Sequence, residues 1–174
     1  ATFDPDNAAE REKTAATIRL LNEELGDKMT FGAGTVTTVE MVMQAKNAGA
    51  RFIVSPNTDE KVIRATVEND MVSIPGAFSP TEIKYAHDCG GDFIKVFPAC
   101  DLGVSYFKNV HAPLSDCKLL AVGGVNEKNI TDYFAAGAVG AGVARCLFKK
   151  DWVAAGEWQK IIDATRNVMS IIGK

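Results

Sequence analysis

The sequence predicts an α/β fold of parallel strands closing as a (β/α)8 barrel, and three observations predict it. Short β-rich runs recur about every twenty residues. Each is followed by a stretch that carries helix-start signals, and the runs are continuously apolar instead of alternating. Strands and helices alternating at so short a period imply parallel pairing, and continuous apolar strands imply cover on both faces. A doubly wound open sheet is the competing architecture. It would want a Gly-x-Gly-x-x-Gly turn after its first strand, and Gly32-Ala33-Gly34-Thr35 is too short a match.

Taken in order, Ala1–Asp4 reads as the end of a strand, and Asn7 to Leu25 as a full amphipathic helix. Strands are expected at Met29–Ala33, Phe52–Val54, Val72–Ile74, Phe93–Val96, Lys118–Val122 and Val139–Val143. Between them, Ser79-Pro80-Thr81-Glu82 joins an N-cap serine, a proline at the first helical position and a glutamate at the third. Thr37-Thr38-Val39-Glu40 reads as a second capping box, while Asn57-Thr58-Asp59-Glu60 and Asn126-Glu127-Lys128-Asn129 open two more helices. Gly26, Gly49, Gly90 and Gly137 fall where those helices should stop. With Ala1–Asp4 counted, seven strands are found, whereas a closed barrel has eight. The chain opens on Ala in mid-element, so about one more βα unit is expected before Ala1. Residues 1–174 thus read as a single barrel domain, N-terminally incomplete.

At 174 residues, 47% hydrophobic and 24% charged, the chain has the composition of one globular domain with a sizeable core. Its formal charge of −3 and the lack of any Lys/Arg block argue against nucleic acid or an anionic membrane surface as partner. A small molecule is expected instead. No run approaches the roughly 18 apolar residues of a membrane span, and Ala1-Thr2-Phe3-Asp4-Pro5 lacks the regions of a signal peptide, so the cytoplasm is the expected compartment. Cys89, Cys100, Cys117 and Cys146 are scattered singly, as are His87 and His111; most of the thiols read as small core hydrophobes, and no metal is expected.

In a barrel the chemistry gathers at the carboxyl ends of the strands. Lys95 sits in Asp92-Phe93-Ile94-Lys95-Val96-Phe97-Pro98, a run otherwise apolar enough for a central strand. Phe93, Lys95 and Phe97 share one face at period two, an apolar setting that lowers a lysine pKa and frees the neutral amine to attack a ketone. A lysine snorkelling to solvent is the plainer alternative. Gly123-Gly124, followed by Asn126 at a helix start, offers backbone N–H groups for an anion, with phosphate the natural candidate; a simple tight turn is the alternative. Arg145, closing the last strand, is a bidentate donor to that anion or a surface ion-pair residue. Thr35 offers a hydroxyl to a carboxylate, or serves only as a turn residue. The nearest candidate for an inward proton-shuttling carboxylate is Asp4.

Gly32-Ala33-Gly34-Thr35-Val36, Phe52-Ile53-Val54-Ser55-Pro56, Ile74-Pro75-Gly76, Ser79-Pro80-Thr81-Glu82, Lys95-Val96-Phe97-Pro98-Ala99 and Gly123-Gly124-Val125-Asn126 together resemble the KDPG/KHG aldolases in order and spacing, from about Ala1 to Phe148. The resemblance implies a class I aldolase without metal or other cofactor on a (β/α)8 TIM barrel, usually a homotrimer. It would cleave 2-keto-3-deoxy-6-phosphogluconate or 4-hydroxy-2-oxoglutarate to pyruvate and an aldehyde. Lys95 matches the Schiff-base lysine, Thr35 the threonine that holds the pyruvate carboxylate, and Gly123 and Gly124 the phosphate-binding backbone; Phe97 and Arg145 complete the expected substrate contacts. The chain departs from the family pattern in four places. The general-base glutamate falls immediately upstream of Ala1, and the arginine that clamps the carboxylate falls at Asp4. The threonine before the glycine pair is Val122, and Gly-Ser in the last strand's phosphate loop reads Ala144-Arg145, where Arg145 either replaces the serine's hydrogen bond or blocks the pocket. These departures motivate the alternative of a non-catalytic phosphosugar-binding barrel of the same family.

Overall fold

The computed structural model describes residues 1–173, which divide by contact density into two compact units, Ala1–Lys95 and the remainder from Val96. The first unit alternates helix and strand: α1 (Ala8–Leu25), β1 (Ala33–Gly34), α2 (Val39–Asn47), β2 (Phe52–Val54), α3 (Glu60–Glu68), β3 (Val72–Ile74), β4 (Gly76–Ala77) and α4 (Pro80–Asp88). It ends in β5 (Ile94–Val96), which crosses into the second. β1, β2 and β3 pair in parallel, with Ala33 opposite Ile53 and Ile53 opposite Ser73. Thr2 bridges in parallel to Gly34, so the opening residues do lie along β1 as a strand end would. The core of this unit is built from Phe3, Ile18, Val36, Val42 and Ile53, all at most 1% exposed.

Helix starts follow local chemistry. Asn7 accepts from the amides of Ala9 and Glu10, satisfying donors that the first turn leaves orphaned. The capping box at Ser79 forms as read, with Glu82 reaching back to the Ser79 amide at 2.7 Å and Pro80 in the first turn. The second box does not: Thr38, not Thr37, is the N-cap of α2, accepting from the Met41 amide at 3.2 Å. The expected strand Met29–Ala33 is also displaced, to Ala33–Gly34. The Met29 amide is still bonded to the Leu25 carbonyl of the helix end, and Gly32 lies so close under Phe52 that a Cβ there would stand 2.4 Å from its carbonyl oxygen.

The second unit holds α5 (Ala99–Leu102), α6 (Val104–His111), β6 (Leu119–Val122), α7 (Ile130–Ala135), β7 (Gly140–Gly142), α8 (Lys150–Ala154) and α9 (Trp158–Ile171). β6 and β7 are parallel, Leu120 opposite Gly140 and Val122 opposite Gly142. Its fully buried side chains include Phe107, Leu119 and Ile130. The Phe107 ring meets Tyr133 edge-on with centroids 5.0 Å apart, a favourable quadrupole arrangement. Asn126 does not open a helix: α7 begins at Ile130, and 126–129 form a turn. Of the four cysteines, Cys89 and Cys117 are buried as expected of core residues, but Cys100 is exposed and Cys146 only half-buried, because both stand at the rim of a cleft. Among the described residues no helix is long and apolar enough to cross a membrane.

Candidate active site

β5 presents its two faces differently. Ile94 and Val96 are fully buried, whereas Lys95, pointing the other way as the pleat dictates, lines a cleft of about 360 Å³. Its amide is tied to the Pro75 carbonyl at 2.8 Å, which fixes the strand end from which the side chain departs. Burial pushes the Lys95 ammonium below the usual lysine range, because the charged form loses hydration there. Gly32, Phe52 and Val54 make up much of the apolar wall beside it.

Thr35 lines the same cleft in an unusual backbone state, with φ of 58°. A β-branched residue rarely adopts the left-handed region, so its neighbours must hold it there. They do so on both sides. The Gly34 amide bonds to the Ala1 carbonyl at 2.7 Å and the Val36 amide to the Val54 carbonyl at 3.2 Å. Ser55, only 4% exposed, donates its hydroxyl to the Val36 carbonyl at 2.7 Å. Thr35 is therefore held between fixed neighbours, and Ser55, which the sequence shows only as part of a motif, is the supporting residue. Asp4 stands elsewhere: its carboxylate accepts from the Asp6 amide at 2.9 Å in the turn before α1, and it does not line the cleft.

In the second unit a cleft of about 440 Å³ gathers Phe97, Gly123, Gly124 and Arg145. Phe97, expected as the amine's flank, lines this cleft and is 38% exposed. Gly123 and Gly124 have φ of 95° and 77°, and a Cβ on Gly124 would stand 2.4 Å from that of Cys100, so only glycine fits. The positive helix end expected beside them is displaced by the turn at 126–129, and the Asn126 amide is taken by the Asn129 side chain at 2.9 Å. What the loop offers an anion is therefore its own backbone and the exposed guanidinium of Arg145, not a helix terminus.

A family model described as KDPG and KHG aldolase matches residues 8–164. This chain belongs to the KDPG and KHG aldolase family. Within it, the chain is 37% identical over 133 residues to a 2-dehydro-3-deoxy-6-phosphogalactonate aldolase of Escherichia coli, covering 76% of this chain and 65% of that protein. It thus spans just under two thirds of that relative's length. A 2-dehydro-3-deoxy-phosphogluconate aldolase of Treponema pallidum is 32% identical over 160 residues, covering 91% and 76% of the two chains. A solved structure described as native KDPGal superposes with a TM-score of 0.76 at 29% identity, over 97% of this chain and 92% of that one. These likenesses give the family member the α/β fold of the TIM-barrel class, in keeping with its parallel strands and alternating helices.

Proposed function

We propose that the protein is a class I, imine-forming aldolase. Its substrate is a 2-keto-3-deoxy-6-phospho sugar acid, of the gluconate or galactonate series, or 4-hydroxy-2-oxoglutarate, and its products are pyruvate and an aldehyde. The observation that carries this reading is Lys95: an amine at a strand end, its pKa lowered by desolvation, in one cleft with the pinned Thr35. The neutral amine adds to the C2 ketone to give a carbinolamine, which loses water to the iminium. The C4 hydroxyl gives its proton to a water molecule as the C3–C4 bond breaks, so that the bond's electron pair passes to the iminium and the aldehyde departs. The resulting enamine is protonated at C3, and water releases pyruvate and the free amine. Thr35 donates its hydroxyl to the substrate carboxylate. A phosphorylated substrate is supported by the loop at Gly123 and Gly124 with Arg145, and by the phosphorylated sugar acids after which the two relatives are named.

Incubation with pyruvate and borohydride is expected to add one reduced pyruvate to the intact mass; an unmodified protein would overturn the reading. The pH dependence has a definite sign. Desolvation disfavours the ammonium, so the trapping rate should rise with pH and level off before the ordinary lysine value of 10.5. A rise that continues through that value would show an unperturbed amine.

A second reading rests on the walls of the Lys95 cleft, where no carboxylate stands among the described residues. A protein that binds the phosphosugar without turnover would show a raised melting temperature on ligand addition and no release of pyruvate. The proposal also includes cytoplasmic, homotrimeric assembly: light scattering should give three times the 18.7 kDa chain mass, and a monomer would remove that part alone.

A further inference from the structure

We propose that Asn126 and Asn129 are positioning residues that fix the backbone of the Gly123–Val125 turn so that it receives the phosphoryl group of the substrate. This rests on the reading just given for that cleft.

The carbonyls of both glycines are occupied. That of Gly123 accepts from the Cys100 amide at 3.0 Å. That of Gly124 accepts from two side chains at once, Nδ2 of Asn126 and Nδ2 of Asn129, each at 3.1 Å. The asparagine side chains are themselves held by backbone amides of the same turn. Oδ1 of Asn129 accepts from the Asn126 amide, and Oδ1 of Asn126 from the Lys128 amide, both at 2.9 Å. Each carboxamide thus uses both its ends, which fixes its orientation.

In a trans peptide the N–H points opposite to its C=O. Holding the Gly123 carbonyl therefore aims the Gly124 amide, and holding the Gly124 carbonyl aims the Val125 amide, both away from the partners that hold them. Two successive amides fixed in this way, in a turn of left-handed residues, form a concavity suited to an oxyanion, and Arg145 in the same cleft supplies the charge. Both glycines are needed for the conformation, but glycine alone does not choose between this peptide orientation and its reverse. The asparagine pair makes that choice.

The test titrates inorganic phosphate by calorimetry into the wild type, Asn126→Ala, Asn129→Ala and the double variant, with pyruvate trapping measured on each. Either single substitution leaves one donor on the Gly124 carbonyl, so each should weaken phosphate binding only a few-fold, whereas the double should lose roughly tenfold or more, beyond the product of the singles. KM for the phosphorylated substrate should rise in step with kcat kept within about twofold, and pyruvate trapping should stay at the wild-type rate. Asn129→Ser is uncharged and too short to reach the Gly124 carbonyl from the Asn129 position, so it should weaken phosphate binding as Asn129→Ala does without repelling the anion; it carries the test if the double variant does not fold. Phosphate affinity unchanged in the variants, or lost in step with pyruvate trapping, would overturn the positioning role, as would a wild type that binds no phosphate. A wild type that binds phosphate but traps no pyruvate would instead sink the aldolase reading and leave the clamp standing.

Discussion

Lys95→Met is expected to abolish the borohydride-trapped pyruvate adduct and to lower kcat by about four orders of magnitude or more, as removal of a covalent nucleophile does. Methionine keeps a stem of similar length and discards the ammonium that burial disfavours, so the melting temperature should hold or rise. Lys95→Arg separates charge from chemistry: the guanidinium stays protonated and cannot form the imine, so it should be equally inactive. Activity retained in either variant would remove the lysine from the mechanism. A silent Lys95→Met with a lowered melting temperature would leave the question to the arginine variant.

Phe107→Ala should be the most damaging single truncation for stability, at about 3–5 kcal/mol in a denaturant titration. The ring is fully buried on α6 and packs edge-on against Tyr133 of α7. The Tyr133 hydroxyl in turn donates to the Ala99 carbonyl at 3.0 Å, one residue before Cys100, whose amide holds the Gly123 carbonyl. Emptying the space behind Tyr133 should therefore weaken phosphate binding as well as the fold, while Tyr133→Phe should spare most of the stability and lose only the tether. A cost under about 1 kcal/mol for Phe107→Ala would mean that the neighbouring side chains close over the space.

What the sequence made legible is what local chemistry decides. Serine, proline and glutamate at fixed offsets suffice to start α4, because each contact lies within a single turn. One amine in an apolar strand is conspicuous for the same reason, and Thr35 follows from its place just after a strand. Signals that two neighbouring residues share equally are ambiguous: Thr37 and Thr38 both fit the cap of α2, and it is Thr38 whose hydroxyl accepts from the Met41 amide. The β-rich run at Met29–Ala33 suggests a strand, but the end of α1 holds Met29 and Phe52 presses on Gly32. The roles of Ser55, Tyr133 and Asn129 are not legible in the sequence because they depend on carbonyls that are 19, 34 and 5 residues away. Even for Asn129, the nearest of these, nothing in its own side chain announces that the partner is Gly124 and not a helix terminus.

The turn at Gly123 and Gly124 separates two properties that side-chain sites confound. Its dipoles belong to the main chain, so substitutions at the rim leave the receptor itself in place while changing what surrounds it. Val122, Ala144 and Arg145 line that rim. If the turn receives the phosphoryl group as proposed, exchange at these positions should shift preference between a singly charged carboxylate and a doubly charged phosphoryl group without rebuilding the backbone. Under the proposed reading, ligand preference in this chain is open to drift at a few peripheral positions that lie apart from Lys95.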